Sequence, residues 1–347
     1  MIQVRLLDTG VQHPRRHMAI DAALAEAHGN GNAPDTIRFM EFEPSVLIGR
    51  HQALAQEVDL AACATRHVAT ARRLTGGGTV YMDRGQVGWE LLLRRDRLGT
   101  ADLGEAAARI CTAVADGLSA LGVRAAFRPR NDIEVDGRKI SGSSGFFDGS
   151  TLLFHGTVIL TFDAAAMTAL LRVPAAKLAR HGAATVASRV TGLADILGAA
   201  PRVAEVKRAV VAGLSRGLGL DPQEAPLTEE EEEAVDRHFL AVGSDAFVDS
   251  IAPALGPDSR SATVQTPGGT ATLHLRLAGR QVREALFVGD LFVAPPRLLL
   301  DLEARLRGIP LADAPAAARA YLEEARPDTM SLPPAALVEL VERATQP

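Results

Sequence analysis

The stretch ARRLTGGGTVYMDRGQVGWE, residues 71–90, sets three consecutive glycines just behind a pair of arginines. Glycine has no Cβ, so Gly76, Gly77 and Gly78 reach backbone conformations closed to other residues and let a ligand touch the main chain. Successive N–H groups in such a turn form a concave nest for an anion. The flanking runs ATARR, GTVYMD and VGWELLLRR read as strands that would hold the turn. Arg72 and Arg73 point to opposite faces of a strand, so one of them is expected to reach the anion. The pattern is neither the Walker loop nor the dinucleotide fingerprint, so it asks for an anion site of another kind.

A second stretch, RPRNDIEVDGRKISGSSG at 128–145, reads as a hairpin with Asp136-Gly137 as its two-residue turn. Asn131 and Asp132 precede the first strand, and Lys139, Ile140, Ser141 and Gly142 leave the turn. Composition gives Lys139 weight, because the chain has 34 arginines and only three lysines, Lys139, Lys177 and Lys207. Lysine is a compact point charge and arginine a planar fork, so a tight phosphate site discriminates between them. Asp132 is a candidate ligand for magnesium, a hard cation that prefers oxygen. Lys139 is placed to neutralise charge developing at a phosphorus centre. In the strand TLLFHGTVIL, Leu152, Phe154, Val158 and Leu160 are apolar, while His155 and Thr157 make the alternate face polar. His155 is a candidate hydrogen-bonding partner for an acyl or phosphate group. Together these parts point to nucleotide chemistry on a carboxylate, an acyl-adenylate former that needs no nucleophile of its own.

The rest of the chain reads as a mixed α+β protein. PRRHMAIDAALAEAH and LGEAAARICTAVADGLSALG have helical apolar spacing, the second ending at Gly122. TIRFMEFEPSVLIGRHQ reads as two strands broken at Pro44. The run DPQEAPLTEEEEEAVD reads as a boundary followed by a helix that Thr228 caps, its glutamates favoured by the helix dipole. A catalytic domain is expected over 1–220 and a small α+β accessory domain over 226–347. Nothing in a net charge of −5 points to bulk binding of nucleic acid or anionic lipid. No apolar run reaches transmembrane length and no signal peptide opens the chain, so a cytoplasmic location is expected. Cys63 and Cys111 are too few for a disulfide framework or a zinc site.

These segments, taken in order, resemble the lipoate–protein ligases of the biotin and lipoate protein ligase superfamily. MAIDAAL is similar to the first helix, IGRHQALAQEV to the strand and turn after it, and RRLTGGGTVYMD to the glycine-rich motif. RNDIEVDGRKISGSS carries the lysine, LFHGTVIL is similar to the histidine–glycine–threonine strand, and LRVPAAKLARHGAATVASRVTGL resembles the adenylate-binding loop. The resemblance covers about residues 15 to 200. VREALFVGDLF resembles part of the family's small accessory domain.

The resemblance implies a mixed-sheet catalytic domain that uses ATP and Mg2+ to convert lipoate to lipoyl-adenylate. The lipoyl group then passes to a lysine of an acceptor protein: a lipoyl domain of a 2-oxoacid dehydrogenase, the glycine-cleavage carrier or a related carrier. It implies that Arg73, Gly76, Gly77, Gly78, Thr79, Val80 and Tyr81 surround substrate and nucleotide. It places Lys139 at the carboxylate and α-phosphate, Asn131 and Asp132 near the phosphates and metal, and Lys177 in a closing loop. Ser141, Gly142, His155, Gly156 and Thr157 complete the expected site. The chain departs from the family pattern at Thr75, Met82, Arg84-Gly85-Gln86 and Phe154. The nearest alternative is an octanoyl or lipoyl transferase of the same fold, which needs a cysteine nucleophile beside the lysine. Residues 128–165 contain no cysteine, and both thiols are expected in helices away from that site. A non-catalytic lipoate-binding regulator is a second alternative.

Overall fold

The computed structural model describes residues 1–346 except 101, 130, 173–188, 254–255, 267, 296 and 326–328. Among the described residues, its main body is an eight-stranded mixed sheet in the order β11-β1-β2-β6-β10-β9-β8-β7. These strands are β1 (Ile2–Gln12), β2 (Thr36–Phe42), β6 (Gln86–Arg94), β7 (Ala126–Arg128), β8 (Asp132–Val135), β9 (Arg138–Asp148), β10 (Thr151–Ile159) and β11 (Leu220–Glu224). Only the β11-β1-β2 edge is parallel. A second sheet carries β3 (Ser45–Ile48) between β4 (Ala69–Arg72) and β5 (Val80–Met82). The expected break at Pro44 therefore separates strands of two different sheets.

Alternation decides which side chains go where. On one face of the large sheet Phe39, Val87, Trp89, Leu91, Leu152, Phe154 and Val158 pack against helices α2 (Leu103–Ser119) and α3 (Val203–Leu218). These two helices approach closely because Gly117 and Gly213 face each other. A β-carbon on Gly117 would overlap the Ala209 carbonyl, and one on Gly213 would overlap the Ala113 carbonyl. On the other face, Met40 and Leu92 join Met18, Ile20 and Leu24 of α1 (Pro14–Gly29) and Leu47, Ala71 and Met82 of the small sheet. The glycine turn, which joins β4 to β5 of the small sheet, meets Ser144 of the large one.

Helix α4 (Glu229–Val242) begins with a reciprocal capping box between Thr228 and Glu231. Its acidic run is spent on α1 and its neighbours: Arg5 meets Glu231 at 2.6 Å, Arg16 meets Glu232 and Asp236, and His238 meets Glu26. A separate apolar core runs from Ala262 to Ala344. It is built from the antiparallel sheet β12 (Ser259–Thr266), β13 (Gly269–Ala278) and β14 (Gln281–Gly289), with helices Leu298–Leu306, Ala314–Ala325 and Pro334–Thr345. A short pair, β15 (Val293–Ala294) and β16 (Thr329–Met330), closes it. The molecule is thus a catalytic domain followed by a C-terminal domain. No described helix is long and apolar enough to cross a membrane.

The α2–α3 contact leaves no room for a methyl group, and overpacking of this kind costs about 1–3 kcal/mol. Gly117→Ala is expected to lower the unfolding free energy by about that amount in urea titration. An unchanged midpoint would show that the helices can separate freely.

Candidate active site

The turn joining β4 to β5 is built around two inward-facing guanidinium groups. Arg72 is fully buried and donates to the carbonyl oxygens of Gly49, Arg50, Gln52, Phe247 and Val248 at 2.7–3.1 Å. Arg73 donates to Leu47, Gly76 and Gly78 carbonyl oxygens at 2.9, 3.1 and 2.8 Å. Burial lowers both side chains to about 10, which leaves them charged at neutral pH. Neither guanidinium therefore stands free to meet an anion, contrary to the alternation expected of a regular strand. Arg73 leaves the strand at the turn and curls under it.

Above the arginines, Gly77 adopts φ +92°. Its N–H donates to the Leu291 carbonyl of the C-terminal domain at 3.1 Å, and Gly289 N–H donates to the His51 carbonyl at 2.9 Å. A β-carbon on Gly76 would overlap that same Leu291 carbonyl, and one on Gly77 would press on the Phe292 ring at 2.8 Å. The nest therefore already holds one oxygen, from a segment that carries no local sequence signal for this role. Thr79 donates its hydroxyl to Gln52 at 3.0 Å. Val80 and Tyr81 are half-buried on β5, and burial together with Asp83 pushes the Tyr81 phenol up to about 12.

The hairpin β8–β9 turns at Asp136 and Gly137 with φ +49° and +75°, as a two-residue primed turn requires. Lys139 Nζ lies 2.7 Å from Asp132 Oδ1. It can cross there because Gly142 has no side chain: a β-carbon would lie 2.5 Å from the ammonium. Asn131 is locked to β9, its amide donating to the Ser143 carbonyl at 2.9 Å while Ser143 Oγ donates back to the Asn131 carbonyl at 3.0 Å. Ser141 is buried, with no partner for its hydroxyl among the described residues. Lys139 N–H donates to the Arg189 carbonyl at 2.7 Å, so the segment that follows 173–188 is stitched to the lysine strand. Lys177 lies outside the described residues. Lys207 bridges Asp8 and Glu41 at 2.7 Å each, a structural use of the third lysine.

The two expected segments share one face. Ser144 reaches from β9 to the Gly76 carbonyl at 3.4 Å, and Thr157 accepts the Gly142 N–H at 3.4 Å. His155 Nε2 lies 2.9 Å from the Thr75 hydroxyl. Gly156 has the opposite parity and faces away. A β-carbon there would overlap Trp89, so this glycine makes room for the core rather than for a ligand. Register shows what sequence reading missed: Arg38, Glu90, His155 and Ser144 are direct cross-strand neighbours on β2, β6, β10 and β9. Asp21 of α1 pairs with Arg38 from above. Single charges inside otherwise apolar strands and on a buried helix face were the available signal.

Burial pushes Glu90 up to about 8; Arg38 opposes this and Asp21 adds to it. Burial likewise raises Asp21 against the pull of Arg38. His155 is lowered to about 3 by burial and then by Arg73 and Arg38, so it is neutral. Oxygen and nitrogen atoms of Asp21, Glu90 and His155 lie within 4.8 Å of one another. Arg38 already supplies the positive charge between the carboxylates, so this group does not ask for a metal. At Asp132, the expected magnesium ligand, Oδ1 is paired with the Lys139 ammonium at 2.7 Å, which leaves the other carboxylate oxygen for a cation that takes most of its ligands from phosphates and water.

Both thiols are buried and free. Cys111 is not remote from the hairpin as expected, since its sulfur lies 3.3 Å from Ser143 Oγ beneath β9. Burial pushes it up to about 11, however, and it is shut in the helix-side core.

A mixed sheet with a glycine turn facing a lysine hairpin defines a recognisable class of acyl-handling domain. Residues 13–215 match the model of the lipoyl protein ligase A/B catalytic domain, and the chain belongs to this family. The octanoyltransferase LipM of Symbiobacterium thermophilum is 33% identical over 66% of this chain and 91% of its own length. Lipoate-protein ligase A subunit 1 of Thermoplasma acidophilum is 29% identical over 63% of this chain and 85% of its own. Among solved structures, a chain from a bi-partite lipoate protein ligase and its E2 lipoyl domain from Thermoplasma acidophilum superposes with a TM-score of 0.65 at 26% identity, covering 74% of this chain and 100% of its own. A lipoate-protein ligase A bound with ATP gives 0.64 at 25%, over 72% and 100%. LipL1 of P. falciparum, in complex with lipoate, gives 0.74 over 94% and 96%, but at 14% identity it shares the fold alone.

The raised carboxyls carry a pH signature. A group whose folded pKa exceeds its unfolded value favours the folded state below the unfolded value and loses that contribution as pH rises through the folded one. Glu90 at about 8 and Glu303 at about 7 both have this sign. The buried histidines have the opposite sign, but only below their ordinary 6.5. Stability is therefore expected to fall between about pH 6.5 and 8, and Glu90→Gln to flatten the fall. Urea midpoints across that range check this, and an equal slope in the variant would contradict it.

Proposed function

We propose that the chain is an ATP-dependent lipoate–protein ligase, which forms lipoyl-adenylate and passes the lipoyl group to an acceptor lysine. The observation that carries this reading is a hairpin ammonium in a chain whose two thiols are both buried. The chain has two cysteines, and both are buried with raised thiol pKa values. An acyl-thioester mechanism needs an accessible thiolate. The adenylate route needs none.

In the first step a lipoate carboxylate oxygen bonds to the α-phosphorus of ATP, the bond to the β-phosphate oxygen breaks, and pyrophosphate leaves. Two anions must meet, and Lys139 is the cation held where they would do so. Asp132 fixes the ammonium, and Gly142 leaves it uncovered. Asp132 would also hold the magnesium that accompanies the nucleotide and offsets its charge. Glycine-turn N–H groups other than that of Gly77, which the Leu291 carbonyl holds, would take the displaced or bridging oxygens. In the second step the acceptor amine attacks the acyl carbon, the carbon–oxygen bond to phosphate breaks, AMP leaves and the nitrogen gives up a proton. Ligand contacts at Gly76, Gly77, Gly78, Thr79, Val80, Tyr81, Asn131, His155, Thr157 and Lys177 belong to this reading, with Arg73 shaping the turn from beneath rather than touching the ligand. ATP in one related ligase and an E2 lipoyl domain beside another support it. The boundary expected at 226 moves in this reading: α4 packs on α1, so the catalytic unit extends through α4 and the accessory unit starts near β12. Octanoyl transfer is the second reading, favoured by the 33% identity to LipM.

Intact mass of an isolated lipoyl domain after incubation with the protein, lipoate, magnesium and ATP separates the two. Lipoylation is expected only with ATP, and is expected to persist in Cys63→Ser/Cys111→Ser. Lys139→Ala is expected to lose about 10²-fold or more, the size of one lost electrostatic contact to a transition state. Transfer from an octanoyl carrier without ATP, abolished by the cysteine changes, would establish the second reading instead.

A further inference from the structure

The polar row beneath the site has a composition that packing alone does not explain. Arg38 and Glu90 are completely buried in the middle of central strands, and Asp21 is buried on a helix face otherwise lined by Met18, Ile20 and Leu24. Burying three ionisable groups is costly, and apolar residues of similar volume are often as stable or more so. Arg38 Nε is 3.3 Å from Glu90 Oε1, yet neither Glu90 oxygen has a hydrogen-bond partner among the described residues. The row does not end in the core. It continues through His155 to the Thr75 hydroxyl at 2.9 Å, and through Ser144 to the Gly76 carbonyl at 3.4 Å. Thr75 immediately precedes the glycine turn, and its own carbonyl accepts the Arg50 N–H at 2.9 Å. The ionisable groups that act on this row are Asp21 from α1, Arg38 from β2 and Arg73 from the turn, and Arg38 acts in addition on His17 of α1.

We propose that Asp21, Arg38 and Glu90 are positioning residues that act through His155 to fix the Thr75 hydroxyl and the entry of the glycine turn for acyl activation. Asp21 anchors the guanidinium from α1, the guanidinium sets the Glu90 carboxyl, and that carboxyl packs within 4.8 Å of the imidazole opposite it on β10. His155 stays neutral, so it offers Thr75 one donor or one acceptor and no charge to compete with Lys139. The substrate does not touch the three residues; they decide where the wall that touches it stands. The assignment rests on the adenylate-forming reading of the site.

A double-mutant cycle tests it. Glu90→Asp draws the carboxyl back by one methylene, Glu90→Gln keeps its length, and Thr75→Val removes the hydroxyl at the far end of the row. Misplacing a reacting group by about 1 Å can cost on the order of 10²-fold, so Glu90→Asp and Thr75→Val are each expected to lower kcat for acyl-adenylate formation by about tenfold or more. KM for ATP should stay within about twofold, because the interaction removed acts in the transition state rather than in uniform binding. Glu90→Gln should restore most of the loss. The Glu90→Asp/Thr75→Val double variant should be no worse than the poorer single one, the mark of residues acting as one unit. Losses that multiply, or a folded Glu90→Asp enzyme with wild-type kcat, would overturn the assignment. Should Glu90→Asp not fold, Asp21→Asn replaces it in the same cycle with the same two outcomes. A wild-type protein that forms no adenylate sinks the ligase reading alone. The cycle is then read on whichever acyl transfer the wild type performs.

Discussion

Two buried guanidinium groups hold up everything else in the site. A turn of three glycines has little conformational preference of its own, and ordering it is entropically expensive. Arg72 and Arg73 meet that cost by gathering carbonyl oxygens from three separate segments, 47–52, 76–78 and 247–248. With the Gly76 and Gly78 carbonyls drawn to Arg73, the Gly77 N–H is turned to the Leu291 carbonyl on the other side. Positive charge thus shapes the nest from beneath rather than contacting the anion. An arginine suits this work because its planar fork of five donors can satisfy several carbonyls at once.

The lysine does the opposite kind of work. Lys139 is one compact charge, half-buried, steadied by Asp132 and laid across a glycine. In a chain that uses arginine at 34 of its 37 basic positions, a lysine at this place follows from the space available. Lys207 had equal standing in the sequence, yet it is a surface clasp between Asp8 and Glu41 over the Phe39 ring. Rarity pointed to the residue type, and geometry chose among the members.

The C-terminal domain reaches the glycine turn directly. Its segment Gly289–Phe292 lies on the glycine turn, and the Leu291 carbonyl takes the Gly77 N–H. Gly76 and Gly77 are therefore constrained from two directions, by Arg73 below and by Leu291 and Phe292 above. A side chain at either position would meet backbone or an aromatic ring, which makes these glycines the least replaceable of the turn.

Local chemistry in the sequence fixed much of this protein. The strands on either side of Pro44, the Asp136-Gly137 turn, the alternating β10 and the Thr228 cap are all short-range effects, governed by sterics and hydrogen bonds within a few residues. The residue types of the site, three glycines, a rare lysine and a histidine on a polar strand face, were legible for the same reason. Tertiary structure decided what those residues do. It turned Arg73 under the loop, sent Gly156 to Trp89, and set Cys111 beneath the lysine strand with its thiol sealed in. It also lined up Arg38, Glu90 and His155, which are 52 and 65 residues apart along the chain. Strand register makes such neighbours, and register depends on the pairing of whole strands, which no local stretch of sequence encodes.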